Sequence, residues 1–116
     1  MEYPSPKMSI EEFYVNQERF STKELKKPLK HNQNDIRIKF LGISEHKPMN
    51  DFFYEYSLRN VDNEVDTLWT KSNNRELEYL NLNAGSYEFK VKSKNSDHLF
   101  SDTQSLFFTI KPHYTQ

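Results

Sequence analysis

The chain has no cysteine and only two glycines, Gly42 and Gly85, among its 116 residues. Without thiols it can build no disulfide framework, no thiolate metal site and no cysteine nucleophile. With so little glycine there is no phosphate-cradling loop and no Gly-x-Ser-x-Gly elbow. No apolar run approaches the roughly 20 residues that a membrane-spanning helix needs, and no signal peptide opens the chain. The formal net charge is −1, with both signs interleaved throughout, so there is neither a basic stripe for nucleic acid nor a basic amphipathic helix for a membrane surface. Aliphatic residues are scarce. What the chain has instead is rings: nine Phe, seven Tyr and one Trp. Aromatic residues favour strands and bury large areas, so a small all-β core built on rings is expected. The length suits one domain, and a chain of this size buries roughly two-thirds of its unfolded surface without needing staples.

Period-2 patterning carries the fold reading. Tyr87, Phe89 and Val91 alternate with Glu88, Lys90 and Lys92. Ile36, Ile38 and Phe40 alternate with Arg37 and Lys39, and Tyr54, Tyr56 and Leu58 with Glu55, Ser57 and Arg59. Shorter strands are expected at Ser9 to Val15, with poor alternation, at Leu68-Trp69-Thr70, at Leu77 to Tyr79 and at Ser105 to Ile110. Turns are expected at Asn16 to Arg19, between Gly42 and Pro48, at Asn60 to Thr67, at Lys71 to Arg75 and at Asn95 to His98. Phe20 to Lys30 reads as a helical turn or an irregular edge strand. Pro4 and Pro6 make residues 1–7 an extended lead-in, residues 8–112 form the domain, and residues 113–116 lead away from it. The opening Met1-Glu-Tyr-Pro-Ser-Pro reads as a cut into a longer protein.

Strands that alternate apolar and charged residues are half-buried, which argues against a parallel α/β sheet. About seven short antiparallel strands indicate an immunoglobulin-like β-sandwich. Tyr87 stands where such folds have a tyrosine corner, just after the turn that Gly85 permits. Phe89 falls where antibody domains carry the second cysteine, and ring packing against Ile38 is the expected replacement.

The order Tyr54-x-Tyr56-x-Leu58, then Trp69, then Tyr79-x-x-Leu82-x-x-Gly85-x-Tyr87-x-Phe89-x-Val91, closing on Ile110-x-Pro112, resembles the Y_Y_Y or triple-tyrosine domain of two-component regulators. Leu29 to Phe40 extends the likeness towards the N-terminus. The resemblance implies a non-enzymatic, extracytoplasmic module of a histidine-kinase receptor. Such a module commonly follows a β-propeller and precedes a membrane helix, and it passes on a ligand-induced change of domain or dimer geometry. The partners implied are neighbouring domains of the same, membrane-anchored receptor and a second copy in a homodimer. No nucleic acid and no cofactor are expected. The alternatives are a carbohydrate-binding module or a spacer in a tandem surface protein.

Tyr54, Tyr56, Trp69, Tyr79, Leu82, Gly85 and Tyr87 are thus expected to carry the structural motif. The four tyrosines share inward parity with Leu58, Leu77 and Phe89, which favours core rings over a sugar-stacking platform. Trp69 either plugs the core from an edge strand, the favoured reading, or presents a face to a partner. Asp62-x-Glu64-x-Asp66 has the alternation of a calcium loop but lacks its sixth-position glycine and its twelfth-position glutamate, and reads as a solvated turn. His31, His46, His98 and His113 have no metal-binding spacing. The carboxylates lie on outward strand faces or in polar turns, so none is paired for acid–base work. Phe52-Phe53 and Phe107-Phe108 put rings on both faces of a strand, and Phe52 and Phe107 are the candidates for an interface.

Overall fold

The computed structural model describes residues 7–43, 53–62, 68–94 and 100–112. They form eight strands: β1 (Lys7–Val15), β2 (Glu18–Phe20), β3 (Ile36–Ile43), β4 (Phe53–Asn60), β5 (Thr70–Ser72), β6 (Glu76–Tyr79), β7 (Gly85–Lys94) and β8 (Gln104–Ile110). Two four-stranded antiparallel sheets result, ordered β2-β1-β3-β6 and β5-β4-β7-β8. They pack face to face as an immunoglobulin-like sandwich.

The inner faces meet in rings. Phe40 contacts Tyr54 (5.0 Å between centroids) and Phe89 (6.3 Å), and Phe89 contacts Tyr79 at 6.5 Å. A second group joins Phe13 to Phe108 at 5.4 Å and Phe108 to Tyr87 at 5.3 Å. Phe89 and Ile38 are both fully buried, and Phe40 and Tyr79 are the rings that face Phe89 across the sandwich.

Several local expectations are corrected. The poor alternation of the first strand has a cause: the register of β1 against β3 shifts between Ile10 and Glu12. The bulge moves the inward set from Met8 and Ile10 to Phe13 and Val15. The turn after β1 is only Asn16-Gln17, both at positive φ (49° and 71°), the signature of a tight primed hairpin. Glu18 and Arg19, expected in that turn, therefore start β2. Gly42 lies inside β3 rather than in a loop, and Lys71 lies in β5 rather than in the following turn. Lys7 already belongs to β1. Pro48, His46, His98 and residues 63–67 of the acidic stretch lie outside the described residues.

Between β2 and β3, both in the first sheet, the chain swings out to the edge of the second sheet at β8 and back. Ser21 and Glu24 form a reciprocal capping box around the 3₁₀ turn Glu24–Lys26, with the Glu24 N–H on Ser21 Oγ (3.2 Å) and the Ser21 N–H on Glu24 Oε1 (3.1 Å). Leu25 and Leu29 are buried as the strap passes. Leu29 makes a parallel bridge with Ile110, donating to Thr109 O (2.7 Å) and accepting from Lys111 N (2.9 Å). The end of β8 is thus gripped on both sides, by β7 and by the strap.

Candidate functional site

The tyrosines of the motif are distributed along the core rather than gathered into a platform. Tyr54 is fully buried, and its hydroxyl accepts the Gly42 N–H at 3.1 Å, tying β4 to β3 across the sandwich. Tyr56 and Tyr79 are half-buried and pack against the core. Burial pushes the Tyr79 hydroxyl well above the usual tyrosine range, with the neighbouring Tyr56 adding to the effect. Tyr87 is buried, and its hydroxyl donates to Asn83 O at 2.7 Å, which is tyrosine-corner geometry. Its pKa is also raised by burial.

Leu82 packs against the core, and its N–H donates to Asn34 O at 3.0 Å. Gly85 opens β7 at φ 154°, with the place a Cβ would occupy only 2.5 Å from Asn60 Nδ2. Trp69 corrects the core reading. It precedes β5 rather than lying in a strand, and it is absent from the core cluster. Its ring lies against the outer face of the second sheet, 4.4 Å from Lys92 Nζ. The same ammonium group stands 4.7 Å from the Phe100 ring and 3.7 Å from Glu55 Oε2. A lysine between two rings and a carboxylate holds the indole at the surface through cation–π attraction.

Phe107 is 60% exposed, while Phe108 is buried. Phe52 lies outside the described residues; beside it Phe53 is 51% exposed on the outer face of β4. Glu88 faces Phe107 across β7 and β8 and pairs with Arg59 at 2.8 Å.

Two features went unread in the sequence. One is the amide network at the end of the sandwich where β8 leaves. There Asn16 Oδ1 accepts the Asp35 N–H (3.2 Å), Asp35 Oδ1 accepts the Asn81 N–H (2.8 Å), and Asn34 Nδ2 donates to Asn81 Oδ1 (3.2 Å). The network ties the β1–β2 hairpin to the segments before β3 and β7. Each residue looked like loop filler, and only their convergence gives them a role. The other is the Lys92 clamp, whose rings come from segments far apart in sequence.

Among the described residues, no three His, Asp or Glu side chains converge as a metal site, and no helix is long and apolar enough to cross a membrane. A surface groove of about 870 Å³ along Glu11, Glu12, Lys39, Arg75 and Glu76 is open and of mixed charge. In it the Glu12 carboxyl is held below the usual range, first by the Tyr14 hydroxyl at 3.0 Å and then by Lys39.

Fold and motif together define an immunoglobulin-like sandwich with a tyrosine corner. The family model of the Y_Y_Y domain matches residues 47–111, more than half of the chain, and the chain belongs to that family. The structure is similar to the extracellular domain of a protein from Bacteroides thetaiotaomicron assigned to a hybrid two-component system. The TM-score is 0.76 and the identity 25%, over 94% of this chain and 16% of that one. A second such extracellular domain from the same species shares the fold at TM-score 0.63 and 20% identity, over 95% of this chain and 16% of that one. The chain therefore spans about one-sixth of the length of these extracellular domains. No curated protein sequence matches it.

Proposed function

We propose that this chain is a non-enzymatic relay module in the extracytoplasmic part of a two-component receptor, passing a ligand-induced rearrangement of neighbouring domains towards the membrane. A relay of this kind biases an equilibrium between arrangements and needs stiff connections rather than catalytic groups. The observation that carries the reading is the grip on β8. Strand β1 starts at one end of the sandwich, beside Ile43, and β8 finishes at the other, beside Gly85. At that far end Leu29 holds Thr109 and Lys111 by two main-chain hydrogen bonds, so a displacement of the body is carried to the departing chain. The likeness to extracellular domains of hybrid two-component systems supports the setting.

The test is made in the full-length receptor, by inserting flexible Gly-Ser linkers of increasing length directly after Lys111. Such a linker behaves as a random coil and cannot transmit a rotation or a push. Inducer-dependent phosphorylation is expected to disappear while inducer binding persists. A response that survives every linker length would overturn the relay reading.

A further inference from the structure

The two signs of charge are interleaved along the chain, yet the fold sorts them. On the sheet faces Lys39 stands 3.5 Å from Glu12, Lys90 3.8 Å from Glu88 and Lys92 3.7 Å from Glu55. The strap is different. From Ser21 to Lys30 it buries only Leu25 and Leu29, and every other side chain there is exposed. Four of the exposed ones are Lys23, Lys26, Lys27 and Lys30. Lys111 joins them, because its N–H donates to Leu29 O at 2.9 Å and brings the end of β8 alongside the strap.

Among the described residues, none of these five lysines lies within ion-pair distance of a carboxylate. The carboxylate of the strap itself, Glu24, accepts the Ser21 N–H at 3.1 Å in the capping box. Beside this row stands an apolar side chain. Lys26 lines a groove of about 250 Å³ together with Thr22, Leu25 and Phe107, whose ring is 60% exposed.

We propose that this flank docks on an anionic lipid surface, with the strap lysines among the headgroups and the Phe107 ring entering the layer beneath them. Charge selects the partner first: five unpaired ammonium groups seek negative charge from outside the chain. Their type selects a surface. All five are lysines, compact point charges suited to a diffuse field, and none is an arginine, whose planar fork suits one carboxylate or phosphate held in fixed geometry. They are also spread along the strap to Lys111 rather than gathered round one ligand. An exposed ring next to lysines is the composition of a surface that lies at a bilayer interface, whereas a soluble polyanion leaves such a ring in water.

The place fits as well. Lys111 directly follows β8, at the end of the sandwich that the relay reading turns towards the membrane, and the proposal rests on that reading for this orientation alone. The segment that grips Thr109 and Lys111 is then the segment that lies on the headgroups, so docking ties the exit of β8 to the bilayer.

The test is co-sedimentation of the chain with vesicles of phosphatidylcholine, or of phosphatidylcholine and phosphatidylglycerol in equal parts. Binding is expected only to the anionic vesicles, and is expected to fall as salt is added. A lysine close to such a surface strengthens binding about fivefold, so Lys26→Gln with Lys27→Gln is expected to weaken it roughly twentyfold or more. Both side chains are exposed, and the thermal midpoint should not move. Phe107→Ser should weaken binding while leaving its salt dependence intact. Lys7→Gln with Lys71→Gln removes the same charge away from the strap and should change binding by less than about twofold.

A wild-type chain that ignores anionic vesicles at low salt would overturn the proposal. So would an equal loss in the Lys7 and Lys71 pair, which would reduce the effect to net charge. Retention on soluble dextran sulfate with the vesicles left unbound would give the strap to an acidic polymer instead. The relay fails separately: a chain that does not bind vesicles, in a receptor that linkers still silence, removes the docking and leaves the relay.

Discussion

The Tyr87 hydroxyl donates to the Asn83 carbonyl at 2.7 Å, four residues back across the turn into β7, while its ring stacks on Phe108 at 5.3 Å. One side chain thus closes the turn and joins the core. Tyr87→Phe keeps the stack and loses only the bond, so urea denaturation is expected to show a loss of about 1 kcal/mol. Tyr87→Ala also removes the ring and is expected to cost roughly 3 kcal/mol or more.

Gly85 meets Asn60 at the start of the same strand. A Cβ there would stand 2.5 Å from Asn60 Nδ2, at φ 154°, and Asn60 cannot swing aside freely because its Oδ1 accepts the Asp62 N–H at 3.0 Å. Gly85→Ala is expected to destabilise by about 1–3 kcal/mol from the backbone conformation and the clash together. Adding Asn60→Ala should return part of that loss, and a double-mutant cycle measures the share.

Alkaline stability follows from the raised tyrosines. Tyr79 is raised first by burial and then by Tyr56, and Tyr87 by burial, whereas in the unfolded chain both ionise near pH 10. The folded state holds these protons more tightly, so their contribution is complete below about pH 10 and is lost as pH rises towards the folded values. Thermal midpoints are expected to fall above about pH 10, and more gently in Tyr79→Phe, which cannot ionise. An identical alkaline slope in wild type and Tyr79→Phe would refute this.

Trp69 and Phe40 should answer differently to truncation. Phe40 is buried among Tyr54 and Phe89, and Phe40→Ala is expected to cost about 3–5 kcal/mol. Trp69 sits outside the core against Lys92, so Trp69→Ala is expected to cost about 1 kcal/mol or less. Since it is the sole tryptophan, its fluorescence reports on that contact directly. Lys92→Met should change the emission intensity with little change in the denaturation midpoint.

Much of this architecture could be read along the chain, because strand patterning is local. Ile36, Ile38 and Phe40, the set Tyr54, Tyr56 and Leu58, and the set Tyr87, Phe89 and Val91 announce both the strands and their buried faces, since successive side chains alternate. The reading of Phe20 to Lys30 left a helical turn and an edge strand both open, and the Ser21–Glu24 capping box decides for the turn. The bulge after Ile10 was visible only as a broken pattern. Nothing nearby in sequence says whether such a break ends a strand or kinks it.

The sequence by itself determined a β-sandwich, its family and the inward tyrosines, since periodicity, turn residues and ring content act within a few residues. Only the tertiary structure decided which strand is left as an edge, where Trp69 rests, and that Leu29 returns to grip Thr109 and Lys111. Those outcomes depend on cross-strand register and on contacts between segments far apart along the chain. Such contacts are chosen by shape and charge in space, which no local pattern encodes.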